Sequence, residues 1–170
     1  SDRMLLHLDI HLHRIEVIFL NQEENFVIQD SISAAGKGLS QLYRDWVEAI
    51  AKKFVRKTRF DPLHQAASEQ ELYDRLPGIL SHFQHHASLD FEIGGADATY
   101  NINLKRDLIT RKAESINKQF VRLISKIHKK HGKNKAPLTL LMTHRLSQLP
   151  GFKEALTTLK DTQVIELEKG

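Results

Sequence analysis

The run Leu5-Leu6-His7-Leu8-Asp9-Ile10-His11-Leu12-His13-Arg14-Ile15-Glu16-Val17-Ile18-Phe19-Leu20 carries the plainest structural pattern in the chain. Leu6, Leu8, Ile10 and Leu12 are apolar, and His7, Asp9, His11 and His13 alternate with them. Around Arg14 the phase flips, and Ile15, Val17 and Phe19 become the apolar series. Side chains alternate with period two along a strand, so a change of phase marks a turn or bulge. The run predicts a strand, a tight turn near His11 to Arg14, and a second strand through Leu20. The polar stretch Asn21 to Asn25 predicts the next turn, and Phe26 to Ile32 a third strand. Together these make a meander.

Beyond it, Ser33, Ala34 and Ala35 lead to Gly36 and Gly38 as a small-residue loop. Leu39, Leu42, Tyr43, Trp46, Val47, Ile50 and Phe54 then recur at three and four, the apolar stripe of an amphipathic helix. Its end is basic, with Lys52, Lys53, Arg56, Lys57 and Arg59, which suits the helix dipole. Asp61-Pro62 stops it. Ser68 with Glu71 reads as a capping box opening a shorter helix toward Leu76. Pro77-Gly78 is expected to interrupt that helix, with Ile79 to His86 helical again. Leu89, Phe91 and Ile93, a turn at Gly94 to Asp97, and Thr99 to Asn103 predict a hairpin. Asn103 is the expected N-cap of the longest helical pattern, Leu104 through Leu108, Ile109, Ile116, Phe120, Leu123, Ile124 and Ile127. Gly132 closes it in the manner of a C-terminal glycine. A buried strand at Leu138 to Met142 follows, then a loop through Pro150, a helix from Phe152 to Leu159, and a last strand at Val164 to Leu167. This order is α/β, a strand meander followed by helical crossovers.

The 170 residues allow one real core with a smaller appended subdomain. The absence of cysteine excludes disulfides and thiolate metal sites. No apolar stretch reaches the roughly 18 residues of a membrane span, so no membrane association and a cytoplasmic location are expected. A net charge of +4 is too modest for a dedicated nucleic-acid binder.

The order and spacing of these segments resemble the second lobe, subdomains IIA and IIB, of the actin-like ATPase superfamily, nearest the DnaK-type heat-shock chaperones. That family opens the lobe with a strand, a D-x-G-G-G-T-x-D turn and a strand. The same stretch here is Asp9 to Glu16, with His11, Leu12 and His13 where the glycines stand. Gly36-Lys37-Gly38 matches a Gly-Gly turn entering the outer subdomain, and Ala87 to Asn103 is similar to that subdomain's hairpin. His144-Arg145-Leu146-Ser147-Gln148-Leu149-Pro150 corresponds to the family's Gly-Gly-Ser-Thr-Arg-Ile-Pro turn. The resemblance covers about Leu5 to Leu159. It implies an actin-like, ribonuclease H-like lobe with its core at 1–36 and 108–170 and a small α+β subdomain inserted at about 37–107.

The same resemblance implies a nucleotide cleft lined by Asp9, His11, Leu12, His13, Arg14, Glu16, Gly36, Gly38, His144, Arg145 and Pro150. Its chemistry is altered. Glycine lets a backbone approach an oxyanion without steric cost, and His11, Leu12 and His13 put bulk there instead. His144 and Arg145 replace the second glycine pair, while Arg75 and Gly78 fall where the family contacts the nucleoside through glutamate and lysine. Ordinary ATP binding is therefore expected to be lost, with phosphate contact through a histidine or Arg14 side chain as the other case. The family's other lobe supplies the first phosphate turn, so the chain is expected to be a fragment whose partner is a missing N-terminal lobe of the same protein. No cofactor is expected for this chain, and ATP with magnesium is conceivable for the full-length form.

Other signals have ordinary readings. His7, His11 and His13 on one strand face could share a metal, but no carboxylate pair completes a ligand motif, and no metal is expected. His82, His85 and His86, like His128 and His131, lack the helical zinc pattern. The basic clusters at Lys52 to Arg59, Lys105 to Lys112 and Lys126 to Lys135 would bind nucleic acid only with aromatics placed to stack. Tyr43, Trp46, Phe54 and Phe120 lie mostly on apolar stripes, so a solvated surface is expected. No nucleophile elbow or Walker loop is present, and no catalytic residue is assigned. The expected role is a chaperone-like binding or scaffold lobe with an unidentified protein partner. The alternatives are a divergent ATPase and a weak nucleic-acid-binding module.

Overall fold

The computed structural model describes residues 3–22, 25–132 and 135–169. The chain forms two compact units, Ser1–Ser40 with Ala113–Gly170, and Gln41–Lys112. No helix among the described residues is long and apolar enough to cross a membrane.

The first unit is built on one five-stranded mixed sheet. β1 (Met4–Ile10), β2 (Arg14–Leu20) and β3 (Ile28–Ala35) are the antiparallel meander. β6 (Leu138–Met142) lies parallel to β1, and β7 (Thr162–Glu166) parallel to β6. The phase flip at Arg14 is the consequence of register. Leu8 faces Val17 and Ile10 faces Ile15 across the turn, so even and odd positions share one side of the sheet. Leu140 and Met142 join that side by pairing with Leu6 and Leu8. Against it packs α4 (Glu114–His131), whose Ile116, Phe120, Leu123, Ile124 and Ile127 are buried at helical spacing. Phe120 meets Phe152 of α6 (Phe152–Thr157) edge-on, with ring centroids 6.2 Å apart.

The second unit takes α1 (Leu39–Thr58) from Gln41 onward, which buries Leu42, Trp46, Val47, Ile50 and Phe54, and the Trp46 indole donates to the Ile109 carbonyl at 2.9 Å. A short 3₁₀ turn at Pro62–His64, capped by Asp61, leads to α2 (Ala66–His82). The hairpin of β4 (Ser88–Gly94) and β5 (Thr99–Lys105) and the short α3 (Arg106–Lys112) complete it.

Several local expectations are corrected. The third strand begins at Ile28 and runs through Ser33, Ala34 and Ala35, because these small residues pair with Glu16, Ile15 and Arg14. Residues 23–24 of the expected Asn21-to-Asn25 turn lie outside the described residues, as do residues 133–134 of the third basic cluster. Ser68 is no cap: α2 starts at Ala66, and the buried Ser68 hydroxyl donates back to the Pro62 and Gln65 carbonyls. Pro77 does not interrupt α2. An interior proline costs about 3 kcal/mol, while each large apolar side chain buried is worth about 1.5–3 kcal/mol. Leu72, Leu76, Ile79 and Leu80 continue one buried stripe through it.

Asn103 lies inside β5, its amide donating to Asp90 on the opposite strand, so it caps nothing. The long helical pattern splits at Ala113 into α3 and α4, and Leu104 belongs to β5. Gly132 does end α4, but with φ −82° rather than a left-handed turn. It is glycine because a Cβ there would lie 2.5 Å from the His128 carbonyl oxygen. The loop before Pro150 contains an extra helical turn, α5 (His144–Ser147), and α6 ends at Thr157 rather than Leu159.

Candidate functional site

Asp9 is the centre of the polar cluster at the C-terminal ends of β1 and β6. It sits on the sheet face opposite the apolar core and is only 7% exposed. The register places it there: Leu8 pairs with Met142, so the residues that follow, Asp9 and Thr143, stand side by side. The Thr143 hydroxyl donates to Asp9 Oδ1 at 2.7 Å and the Ile10 amide to the same oxygen at 2.8 Å. Arg145, at the second position of α5, closes the cluster. Its Nε donates to Oδ1 at 2.7 Å and its Nη2 to Oδ2 at 2.5 Å.

Burial of Asp9 opposes ionisation, but hydrogen bonds from Arg145, Thr143 and the Ile10 amide, with the Arg145 charge, outweigh it. Its carboxyl is held below the usual carboxylate range. The hydrogen bond to Asp9 likewise raises Arg145 above its ordinary value against a smaller desolvation effect.

The network continues through the β1–β2 turn. Arg145 Nη2 lies 3.0 Å from His11 Nδ1, and His11 Nε2 lies 3.3 Å from Glu16 Oε1. Arginine can only donate, so Nδ1 is the acceptor and the neutral ring carries its proton on Nε2, toward Glu16. Arg14 stands 3.9 Å from the other Glu16 oxygen. Asp9, Arg145, His11, Glu16 and Arg14 thus form one connected series of hydrogen bonds and ion pairs.

The turn is also braced from behind. The amides of Leu39 and Ser40 donate to the carbonyls of His11 and Leu12, and the Gly36 amide to that of His13. The Ser40 hydroxyl donates to the Leu12 carbonyl at 3.0 Å and lies 3.1 Å from His13 Nδ1. Both glycines of the following loop are needed for this. Gly36 has φ +76°, and a Cβ on Gly38 would come within 2.5 Å of the Leu12 carbonyl oxygen and 2.6 Å of the Arg14 amide nitrogen.

An open cavity of about 540 Å³ adjoins the cluster, lined by Asp9, Thr143, His144, Arg145, Leu167 and Lys169 among others. Of the residues expected at the cleft, Asp9, His11, Arg14, Glu16 and Arg145 form one network, and His144 lines the cavity. Leu12 projects 59% exposed, His13 turns to Ser40, and Gly36 and Gly38 support the turn from behind. Pro150 is buried in the loop after α5 and does not line the cavity.

His7, His11 and His13 do not share a strand face, because β1 ends at Ile10 and the other two histidines belong to the turn. Among the described residues, no group of three or more histidine or acidic side chains is disposed to hold a metal ion. Arg75, on α2, is held over the Phe91 ring at 4.5 Å and donates to the Glu92 carbonyl.

Thr143 and the segment after β7 are not among the residues that the sequence singles out. A threonine directly following a buried strand was the available signal, but its meaning depends on which strand lies alongside.

Comparison with known protein families and with curated proteins finds no family and no curated protein that matches this chain.

Proposed function

We propose that this chain is an actin-like lobe, nearest that of the DnaK-type chaperones, which has given up ordinary ATP binding and serves as a binding or scaffold lobe. The observation that carries the reading is the bidentate Asp9–Arg145 pair. Arg145 turns its Nε and Nη2 donors inward to Asp9, and Nη2 also reaches His11. A phosphate oxyanion entering there would compete with an ionised carboxylate for the same guanidinium donors, at a cost set by like-charge repulsion. The neighbouring turn adds no glycine cradle. The His11 amide is already given to the Arg14 carbonyl at 2.8 Å, and the side chains of His11, Leu12 and His13 crowd the close backbone approach that a phosphate nest needs. The meander followed by parallel crossovers supports the architectural part of the reading.

The divergent-ATPase reading draws on one observation, the cavity of about 540 Å³ with His144, Arg145 and Lys169 in its lining. Calorimetric titration of magnesium ATP and ADP into the full-length protein separates the two. Absence of heat is expected for wild type, with binding appearing in a His11→Gly, Leu12→Gly, His13→Gly variant if the turn is the cause. Micromolar binding by wild type overturns the scaffold reading.

A further inference from the structure

Arg59 follows α1 with φ +68°, in the left-handed region, and its amide closes the helix on the Val55 carbonyl at 3.0 Å. Glycine ordinarily takes this helix-terminating position, since a side chain there is strained. An arginine stands there instead, and it lines a cavity of about 410 Å³ with Phe60, His64, Gln65, Gly95 and Tyr100. Strain retained at a position that lines a cavity is a pointer to function.

The aromatic pair in that cavity is specific. Phe60 and Tyr100 stack with centroids 4.4 Å apart and planes 12° from parallel, and both remain partly exposed. Gly95 lies against their edges, where a Cβ would come 2.9 Å from Tyr100 Cε2 and 3.2 Å from Phe60 Cε1. Four further cations, Lys52, Lys53, Arg56 and Lys57, precede Arg59 on α1, and no acid interrupts residues 52–60. Lys52, Arg56 and Lys57 are exposed. A helix dipole accounts for cations in the last turn. It does not account for the half-exposed aromatic stack beside them.

We propose that this cavity and the basic end of α1 bind single-stranded nucleic acid. A base enters the cavity against the Phe60–Tyr100 pair, and the adjoining phosphates lie on Arg59 and the α1 cations. Two acids also line the cavity, Asp61 and Asp97. Asp61 is turned to the Leu63 amide, which it accepts at 2.9 Å. Their charge disfavours a phosphate inside the cavity and leaves that space to an uncharged, planar group. An acidic peptide has cations to meet but no planar group for the aromatic pair, so nucleic acid fits the lining better.

Fluorescence anisotropy of labelled single strands of about 12 nucleotides, DNA and RNA, between about 50 and 200 mM salt tests this. Wild type is expected to bind with an affinity that falls steeply with salt. Arg59→Gly is expected to weaken binding and lower the log–log salt slope by about 0.7, the share of one single-strand phosphate contact. Its thermal midpoint is expected to be kept or raised, since glycine suits this backbone, so misfolding does not confuse the result. Phe60→Leu is expected to lose about tenfold in affinity with the slope unchanged. No binding at about 50 mM salt, or both variants binding as wild type does, overturns the proposal. Equal displacement by polyglutamate also overturns it, and assigns the surface to acidic peptides.

Discussion

Arg145 and Asp9, 136 residues apart in sequence, are joined by two N–H···O bonds of 2.7 and 2.5 Å across the ends of adjacent parallel strands. The pair ties the turn after β6 to the end of β1, and through His11 to the β1–β2 turn.

Removing the arginine leaves a carboxylate that is only 7% exposed with a hydroxyl and an amide as its remaining donors. Breaking a fully buried pair costs about 3–5 kcal/mol. The Arg145 side chain is 52% exposed, and solvent screening reduces that, so Arg145→Ala is expected to cost about 1–3 kcal/mol. Urea unfolding of Arg145→Ala, Asp9→Ala and the double variant measures the coupling. An additive double variant would show that the pair contributes nothing.

The same pair makes stability depend on acid. Asp9 titrates lower in the folded protein than its unfolded value of about 3.9, so its stabilisation is fully present above that pH. It is lost as pH falls from there through the folded value, because the unfolded chain takes up the proton first. Urea midpoints of wild type and Asp9→Asn are expected to differ at neutral pH and to converge in acid. Asp30 is bound by His131 at 2.7 Å and Lys130 at 3.0 Å, and is held down to about 2 chiefly by the His131 hydrogen bond. It adds the same slope to both proteins and cancels in the comparison.

Two glycines respond oppositely to alanine. Gly38→Ala drives a Cβ to 2.5 Å from a backbone carbonyl oxygen, and the turn cannot retreat without losing its bonds to Leu39 and Ser40. A loss of about 2 kcal/mol or more is expected. Gly78 sits inside α2 with open space around its Cβ position, so Gly78→Ala is expected to gain about 0.5–1 kcal/mol. Thermal melts of the two variants decide both.

Trp46, the single tryptophan, reports the second unit. Trp46→Phe removes the donor that satisfies the buried Ile109 carbonyl and leaves a void beside it. An expected loss of about 1–3 kcal/mol follows from the unsatisfied acceptor alone. Chemical denaturation followed by circular dichroism, which does not need the indole, checks it.

Local periodicity made much of the fold legible. Period-two alternation in residues 5–20 and the three-four spacing in α1 and α4 depend only on neighbours along the chain, so those elements are legible without any tertiary contact. Ser68, Pro77 and Asn103 depart from their local preferences because these are worth a few kcal/mol at most, and packing of the surrounding stripe or ladder outweighs them. At the candidate site, Asp9, His11, Glu16 and Arg145 could be named from a resemblance in spacing, but their bonding could not. Arg145 meets Asp9 only because β6 pairs in parallel with β1 at a register that sets Thr143 beside Asp9.

Phe60 and Tyr100, 40 positions apart, likewise meet through the fold of the second unit, and neither segment alone indicates the stack. The sequence by itself determined most of the strands and helices and which face of each is apolar, because side-chain periodicity is a local property. Only the tertiary structure decided which polar side chains neutralise one another and which aromatics stay exposed, because strand register and packing bring together residues with no local reason to meet.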